Sequence, residues 1–151
     1  MAASQGWNDT SVGVIPCGPL PGGRVEDIGG NMTVLVTGGA GYIGAHMTLA
    51  LLDAGERVVV LDNLVTGFDW AVDKRAQFVR GDVGDLALTT RLIREHGITD
   101  IIHFAGSVVV PESVTDPLKY YSNNTAASRN LIDAAASNGV ERFIFSSTAA
   151  V

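Results

Sequence analysis

The 151-residue sequence has one cysteine, Cys17, too few for an internal disulfide and in keeping with a reducing compartment. It is short of basic charge: 10 Lys+Arg stand against 16 Asp+Glu, a formal net charge of −6. A surface that neutralises nucleic-acid phosphates needs the opposite balance, so no nucleic-acid partner is expected. No apolar run approaches the roughly 20 residues of a membrane helix, and no basic leader precedes an apolar stretch of signal-peptide type. The expected setting is cytoplasmic, with no membrane partner. Three histidines, His46, His96 and His103, are scattered through the chain without metal-site spacing, so no metal is expected.

What the chain does have is apolar content: 46% hydrophobic residues against 17% charged. That excludes a disordered chain and is enough for one core. Residues 1–31 stand apart, with 7 of the 18 glycines and 3 of the 5 prolines, and no apolar period. They read as a flexible Gly/Pro-rich leader, because such sequence has a high ordering entropy and little apolar area to offset it.

From Met32 the pattern is regular, and residues 32–151 read as one domain. Met32–Thr37 is a β-branched strand of the buried type. A glycine turn follows, then a helix over Tyr42–Ala54 with Ile43, Met47, Ala50 and Leu51 on its apolar face and a stop at Gly55. Arg57–Asp62 and Ala76–Arg80 are further strands. Asp85 caps a helix over Leu86–His96 that stops at Gly97, and Asp100–Phe104 is strand four. Asp116-Pro117 starts a helix running to about Asn138, and Glu141–Ser147 is strand five. Strands that alternate with helices and are apolar on both faces predict an α/β, Rossmann-type doubly wound parallel sheet with five strands present.

The first strand runs into Gly38-Gly39-Ala40-Gly41-Tyr42-Ile43-Gly44, which reads as GxGxxG or as GxxGxxG. Between a strand and a helix, such glycines allow a tight turn and close approach of backbone to a pyrophosphate, with the helix N-terminus aimed at the phosphates. Asp62 ends strand two, 18 residues past Gly44, where a carboxylate accepts hydrogen bonds from an adenosine ribose. Its charge repels a 2′-phosphate, and Asn63 and Leu64 supply no cation, so NAD is favoured over NADP. Asp82 can receive an adenine amino group or can serve the turn at Gly81. His103 reads as a packed strand histidine, and His46 and His96 as helix-surface residues.

With these residues in view, the chain from about Met32 resembles the extended short-chain dehydrogenase/reductase family, and within it the UDP-glucose 4-epimerases. The matching stretches are VTGGAGYIGAH (36–46), LDNL (61–64), GDV (81–83), HFAG (103–106), PES (111–113), YYSNN (120–124) and FSSTAAV (145–151). The resemblance implies that Tyr42 and Ile43 sit over the pyrophosphate. It assigns Asp62 and Asn63 to the ribose, Asp82 and Val83 to the adenine, and Phe104, Ala105 and Gly106 to the nicotinamide side. Asn123 contacts the cofactor from the long helix, and the Thr148 hydroxyl bonds the reacting sugar. The implied chemistry is transient oxidation at C4 of a UDP-sugar by NAD, in an enzyme that is a homodimer in the family.

Two departures stand out. Val108 occupies the place of a lysine that many epimerases carry after the FAG glycine. The family's proton-transfer motif, Tyr-x-x-x-Lys, is absent: the lysines are Lys74 and Lys119, preceded four residues earlier by Trp70 and Thr115. In the family that motif lies beyond the serine/threonine strand, and these residues end three after Thr148. The chain is therefore expected to be inactive by itself, as the NAD-binding portion of an epimerase without its sugar-nucleotide domain. Ala149-Ala150, where 4,6-dehydratases carry Asp-Glu, count against dehydration. A non-catalytic NAD-binding module, whether redox-sensing or partner-binding, and a portion of another sugar-nucleotide epimerase or decarboxylase are the alternatives.

Overall fold

A computed structural model describes residues 32–147. The leader expected over residues 1–31 and the candidate Thr148 lie outside the described residues. The elements are β1 (Thr33–Thr37), α1 (Tyr42–Asp53), β2 (Arg57–Asp62), β3 (Gln77–Arg80), α2 (Leu86–His96), β4 (Asp100–His103), α3 (Val110–Thr115), α4 (Pro117–Tyr120), α5 (Ala127–Ser137) and β5 (Arg142–Phe145). A short 3₁₀ turn covers Asp69–Ala71, and one turn of π-helix covers Tyr121–Ala126.

The strands form one parallel sheet in the order β3-β2-β1-β4-β5. Its centre reads as it does in the sequence because alternate residues feed two cores. Leu35, Val59, Leu61 and Ile101 pack under α2 and α5, against Leu92, Ile93, Leu131 and Ala134. Val34, Val36, Val58, Val60 and Ile102 face the other way, toward Met47, Leu51 and Leu52 of α1. Each such aliphatic side chain contributes about 1.5–3 kcal/mol when fully buried. The sheet is thus covered on both faces, as the doubly wound reading requires.

The helix signals at Asp85, Gly97 and Asp116 act as the sequence suggests. The Asp85 carboxylate accepts from Leu88 N–H, Gly97 closes α2 in the left-handed region, and the Asp116 carboxylate accepts from Lys119 N–H. The long helix predicted from Asp116 to Asn138 is not continuous. It is α4, then the π turn, then α5, and a further short helix, α3, precedes it. Ser122, Asn123, Asn124 and Thr125 favour local side-chain bonding over regular helix, which is where the ladder changes. The face of α1 is also rotated by one residue from the expected one. Gly44 and Thr48 are buried, whereas Ile43 is 61% exposed and Ala50 faces solvent. Met47 and Leu51 pack on the sheet as expected, while the close approach of Gly44 to the glycine turn brings Gly44 and Thr48 inward in place of Ile43 and Ala50.

Candidate functional site

The sheet's connections leave in opposite directions on either side of β1: β2 lies on one side and β4 on the other. Ligands of open parallel sheets bind at such a switch point, outside the C-terminal strand ends. Here those ends are Thr37-Gly38 and His103-Phe104.

The glycine turn is built for contact. Gly38 has φ +71°, and a Cβ on it would stand 2.7 Å from Ala105 N, so turn and β4 exit touch backbone to backbone. At Gly44 a Cβ would meet Gly38 O at 2.2 Å, which no side chain can survive. Gly41 differs: its Cβ would meet a single atom, Gly38 O at 3.3 Å. Its φ of −82° suits any residue, so a side chain there is opposed by that one tight contact alone, and Gly41 borders the crevice. Gly41 also stands at the N-terminus of α1, whose first turn has neither a side-chain cap nor an acidic residue. Tyr42 and Ile43 are exposed above it.

Asp62, 8% exposed, ends β2 against this turn. Its Oδ2 accepts from Ala40 N–H at 3.0 Å and its Oδ1 from Leu64 N–H at 2.8 Å. One carboxylate therefore fixes both the glycine turn and the loop after β2. Each oxygen keeps acceptor capacity for a further donor. Leu64 takes φ 62°, an uncommon value for a residue with a Cβ, and the bond to Asp62 holds it there. Asn63 is exposed, and its side chain accepts from Val65 N–H. Asn63 and Leu64, which follow Asp62 in the chain, carry no positive charge, whereas Arg80 is its register partner on β3.

Two clefts open along this edge. The larger, about 640 Å³, is bordered by Gly38, Gly41, Tyr42, Phe104, Gly106 and Asn124, together with Ser128 and Phe145. The smaller, about 440 Å³, joins Asp82 and Gly84 to Asn123 and Asn130. The structure thus divides the sequence-derived candidates: Gly38, Gly41, Tyr42, Ile43, Gly44, Phe104, Ala105 and Gly106 line the first cleft, whereas Asp82 and Asn123 line the second. Asp82 does perform turn chemistry, since its Oδ1 accepts from Gly84 N–H at 2.7 Å. Val83 is buried in the α2–α5 core, which leaves only its backbone for a ligand.

His103 is 1% exposed, between the Thr37 hydroxyl at 2.6 Å from Nδ1 and the Ser128 hydroxyl at 2.8 Å from Nε2. Burial pushes it down to about 4, so the ring is neutral near pH 7. It packs inside the fold, as the sequence suggests. His46 lies on the outer face of α1, and His96 is half-buried at the end of α2.

Tyr120 also borders the larger cleft, and sequence reasoning did not single it out. Its hydroxyl bonds Glu112 Oε2 at 2.9 Å and lies 2.8 Å from Val109 O, and it accepts from Val109 N–H at 3.0 Å. Burial, reinforced by the neighbouring Glu112 carboxylate, raises this phenol above its ordinary value. Lys119 pairs with the same Glu112, which raises the ammonium and lowers the carboxylate. Asn124 and Ser107 were likewise missed. For Asn124 the signals were the matching stretch YYSNN (120–124) and the run Ser-Asn-Asn-Thr inside a predicted helix, where such residues are poor formers, whereas Ser107 had none.

Among the described residues, no group of three or more His, Cys, Asp or Glu side chains could hold a metal ion, and no helix is long and apolar enough to cross a membrane.

The pattern of the NAD dependent epimerase/dehydratase family matches residues 34–151. A UDP-glucose 4-epimerase of Lacticaseibacillus casei is 50% identical over 119 residues, which are 79% of this chain and 36% of that one. The crystal structure of UDP-glucose 4-epimerase from Brucella ovis in complex with NAD superposes with a TM-score of 0.73 at 42% identity, over 76% of this chain and 35% of that one. The enzyme from Thermotoga maritima with UDP-glucose gives 0.75 at 35% identity, over 78% of this chain and 38% of that one. The chain thus spans little more than a third of the length of these relatives.

Proposed function

The chain belongs to the NAD dependent epimerase/dehydratase family, and from that premise we propose that it is the NAD-binding portion of a UDP-glucose 4-epimerase-type enzyme. The observation that carries this reading is the pairing of an open Gly41 cradle with the Asp62 carboxylate at the switch point of the sheet. The first turn of α1 offers backbone N–H groups to a pyrophosphate beside Gly41, Tyr42 and Ile43. Asp62 and Asn63 hold the adenosine ribose, Asp82 and the Val83 backbone border the adenine, and Asn123 contacts the cofactor from its helix. Phe104, Ala105 and Gly106 line the nicotinamide side. When bound, NAD supplies hydride acceptance and return, which lets C4 of a UDP-sugar invert.

These 151 residues by themselves do not complete that reaction. It needs a base that takes the C4 hydroxyl proton, and the tyrosine–lysine pair present is arranged against that task. The Tyr120 phenol is raised rather than lowered, and the Lys119 charge is spent on Glu112 instead of on the phenol. Thr148 can steer a sugar hydroxyl, but a threonine hydroxyl is too weak an acid to replace an activated tyrosinate. Loss of the general acid–base group removes a factor of about 10²–10⁴, and loss of substrate orientation removes more.

Two measurements test the reading. Calorimetric titration of the purified chain with NAD should show saturable binding, and no binding refutes the cofactor assignment. A coupled epimerase assay with UDP-glucose and UDP-galactose should show no turnover. Turnover above a vector-only control refutes the inactivity of this chain and directs the search for a base to His46, His96 and His103.

A further inference from the structure

Of the seven asparagines in the chain, only Asn138 is followed by glycine. An asparagine amide carbon is open to attack by the backbone nitrogen of the next residue, and a glycine there has no Cβ to hold the two apart. The pair lies in the turn between α5 and β5. Asn138 is the C-cap of α5, and Gly139 takes φ +73°. Val140 N–H donates back to Ala135 O at 3.1 Å and closes the turn. Gly139 is exposed, a Cβ on it would meet nothing within 4 Å, and among the described residues its N–H has no backbone acceptor.

Two bonds hold the Asn138 side chain away from that reaction. Its Oδ1 accepts from Nε of Arg94, in the last turn of α2, at 2.7 Å, and its Nδ2 donates to Ala134 O at 2.7 Å. One amide thus ties together the C-terminal ends of the two helices that cover the same core. At ψ 13° the Gly139 nitrogen lies toward the Asn138 nitrogen, on the side away from Cβ. Reaching a near-attack arrangement therefore requires the tie to open and this dihedral to rotate, a local opening at a helix end. Asn130 offers a comparison on the same helix: its amide donates to Gly84 O at 2.9 Å, but Leu131 follows it.

We propose that Asn138-Gly139 is a site of spontaneous deamidation whose rate is set by the side-chain tie to Arg94 and Ala134, and that its isoaspartate product loosens β5. Gly139 N forms a bond to Asn138 Cγ and gives its proton to water, and Nδ2 leaves as ammonia. The succinimide so formed takes up one water, which opens it to aspartate or isoaspartate. Neither product keeps the donor for Ala134 O. Isoaspartate also routes the backbone through Cβ and adds one atom to the chain just before β5. That strand is set immediately beyond the turn, where Glu141 N–H donates to Thr99 O at 2.8 Å and Phe143 packs against the α2–α5 core. Among the described strands only β4 pairs with it.

The test incubates the full 151-residue chain in buffer and in urea and follows the tryptic peptide 130–142 by mass spectrometry, with Asn130 as the internal control. Asn138 should convert before Asn130, and faster in urea than in buffer by about 5- to 150-fold, the worth of two hydrogen bonds. Arg94→Ala should speed conversion in buffer by about 3- to 10-fold, the worth of one, and leave the rate in urea unchanged. Chain carrying isoaspartate at 138, separated by ion exchange, should lose amide protection at Phe143 and Ile144 while β1 and β2 keep theirs. Equal rates in buffer and urea, a wild-type rate in Arg94→Ala, or an Asn138 that stays intact while Asn130 converts overturns the site and its control. The comparison of buffer with urea needs no variant, so it decides that point should Arg94→Ala fail to fold. Full protection of β5 in the isoaspartate chain overturns the loosening.

Discussion

The Thr37 hydroxyl and His103 Nδ1 stand 2.6 Å apart across β1 and β4, the two strands whose ends form the switch point. On its other side the ring reaches Ser128 Oγ on α5, and Phe145 of β5 stacks on it with ring centroids 5.4 Å apart. A neutral imidazole has one donor and one acceptor nitrogen, so one hydroxyl donates to it and the other accepts. A protonated ring would donate from both nitrogens, and among the described residues its hydrogen-bond partners are two hydroxyls and no carboxylate.

That arrangement sets a pH dependence. Burial lowers His103 from 6.5 to about 4, so between those values the unfolded chain binds a proton that the folded chain does not. Stability therefore rises with pH across this window. The contribution is complete above about pH 6.5 and is lost as pH falls toward 4, by on the order of 3 kcal/mol. Urea unfolding from pH 4 to pH 8 should show this decline, and His103→Gln should flatten it. An equal slope in that variant would assign the acid lability of this window to other groups; Asp100, whose carboxyl burial would raise but Arg142 and Thr99 hold below 3.8, loses its contribution only at lower pH.

The glycines of the turn separate into structural and ligand-facing positions. Gly44→Ala should unfold the chain or lower Tm by more than 10 °C (roughly 2–3 kcal/mol at this size), because its Cβ meets Gly38 O at 2.2 Å. Gly41→Ala should leave Tm nearly unchanged and weaken NAD binding, since only the side facing the cleft is altered. Thermal melts together with titration decide it. A large loss of stability in Gly41→Ala would remove the case for a ligand at that position.

Asp62→Ala should lower both stability and affinity. It leaves the buried Ala40 N–H and the Leu64 N–H without their acceptor, at a cost of about 1–3 kcal/mol for a buried unsatisfied group. Wild-type chain should prefer NAD over NADP, and the variant should narrow that preference. Equal wild-type affinities for the two dinucleotides would sink the assignment of Asp62 to the ribose.

The outer face of β5 should promote association of the 151-residue chain. Among the described strands it pairs only with β4, and Ile144 and Phe145 are 58% and 52% exposed. Unpaired apolar edges template further pairing. Sedimentation velocity over a range of concentrations should show concentration-dependent oligomers, reduced in Ile144→Lys. A monomer that persists at all concentrations would show that the edge is covered.

Local sequence signals determined what depends on near neighbours in the chain. The short, continuous β-branched apolar runs in Thr33–Thr37 and Arg57–Asp62 marked buried strands, Asp85 and Gly97 fixed both ends of α2, and the spaced glycines with Asp62 marked a dinucleotide site. These are backbone preferences and apolar periods, which a reader of the sequence can follow residue by residue. Tertiary structure decided the rest, because it depends on which backbone groups lose their partners when the sheet is assembled. The Gly44–Gly38 contact turns the face of α1 so that Met47 and Leu51 of the expected stripe pack on the sheet while Ile43 and Ala50 are exposed. Asp62, read in the sequence as a ribose acceptor, is also a clamp on Ala40, 22 residues away. The helix expected from Asp116 to Asn138 gives way to a π turn where Asn123 and Asn124 reach Ser107, 16 and 17 residues back. No helical period encodes that choice: it is made by the unpaired N–H and C=O of a loop leaving β4, which must find partners once the loop departs from the sheet.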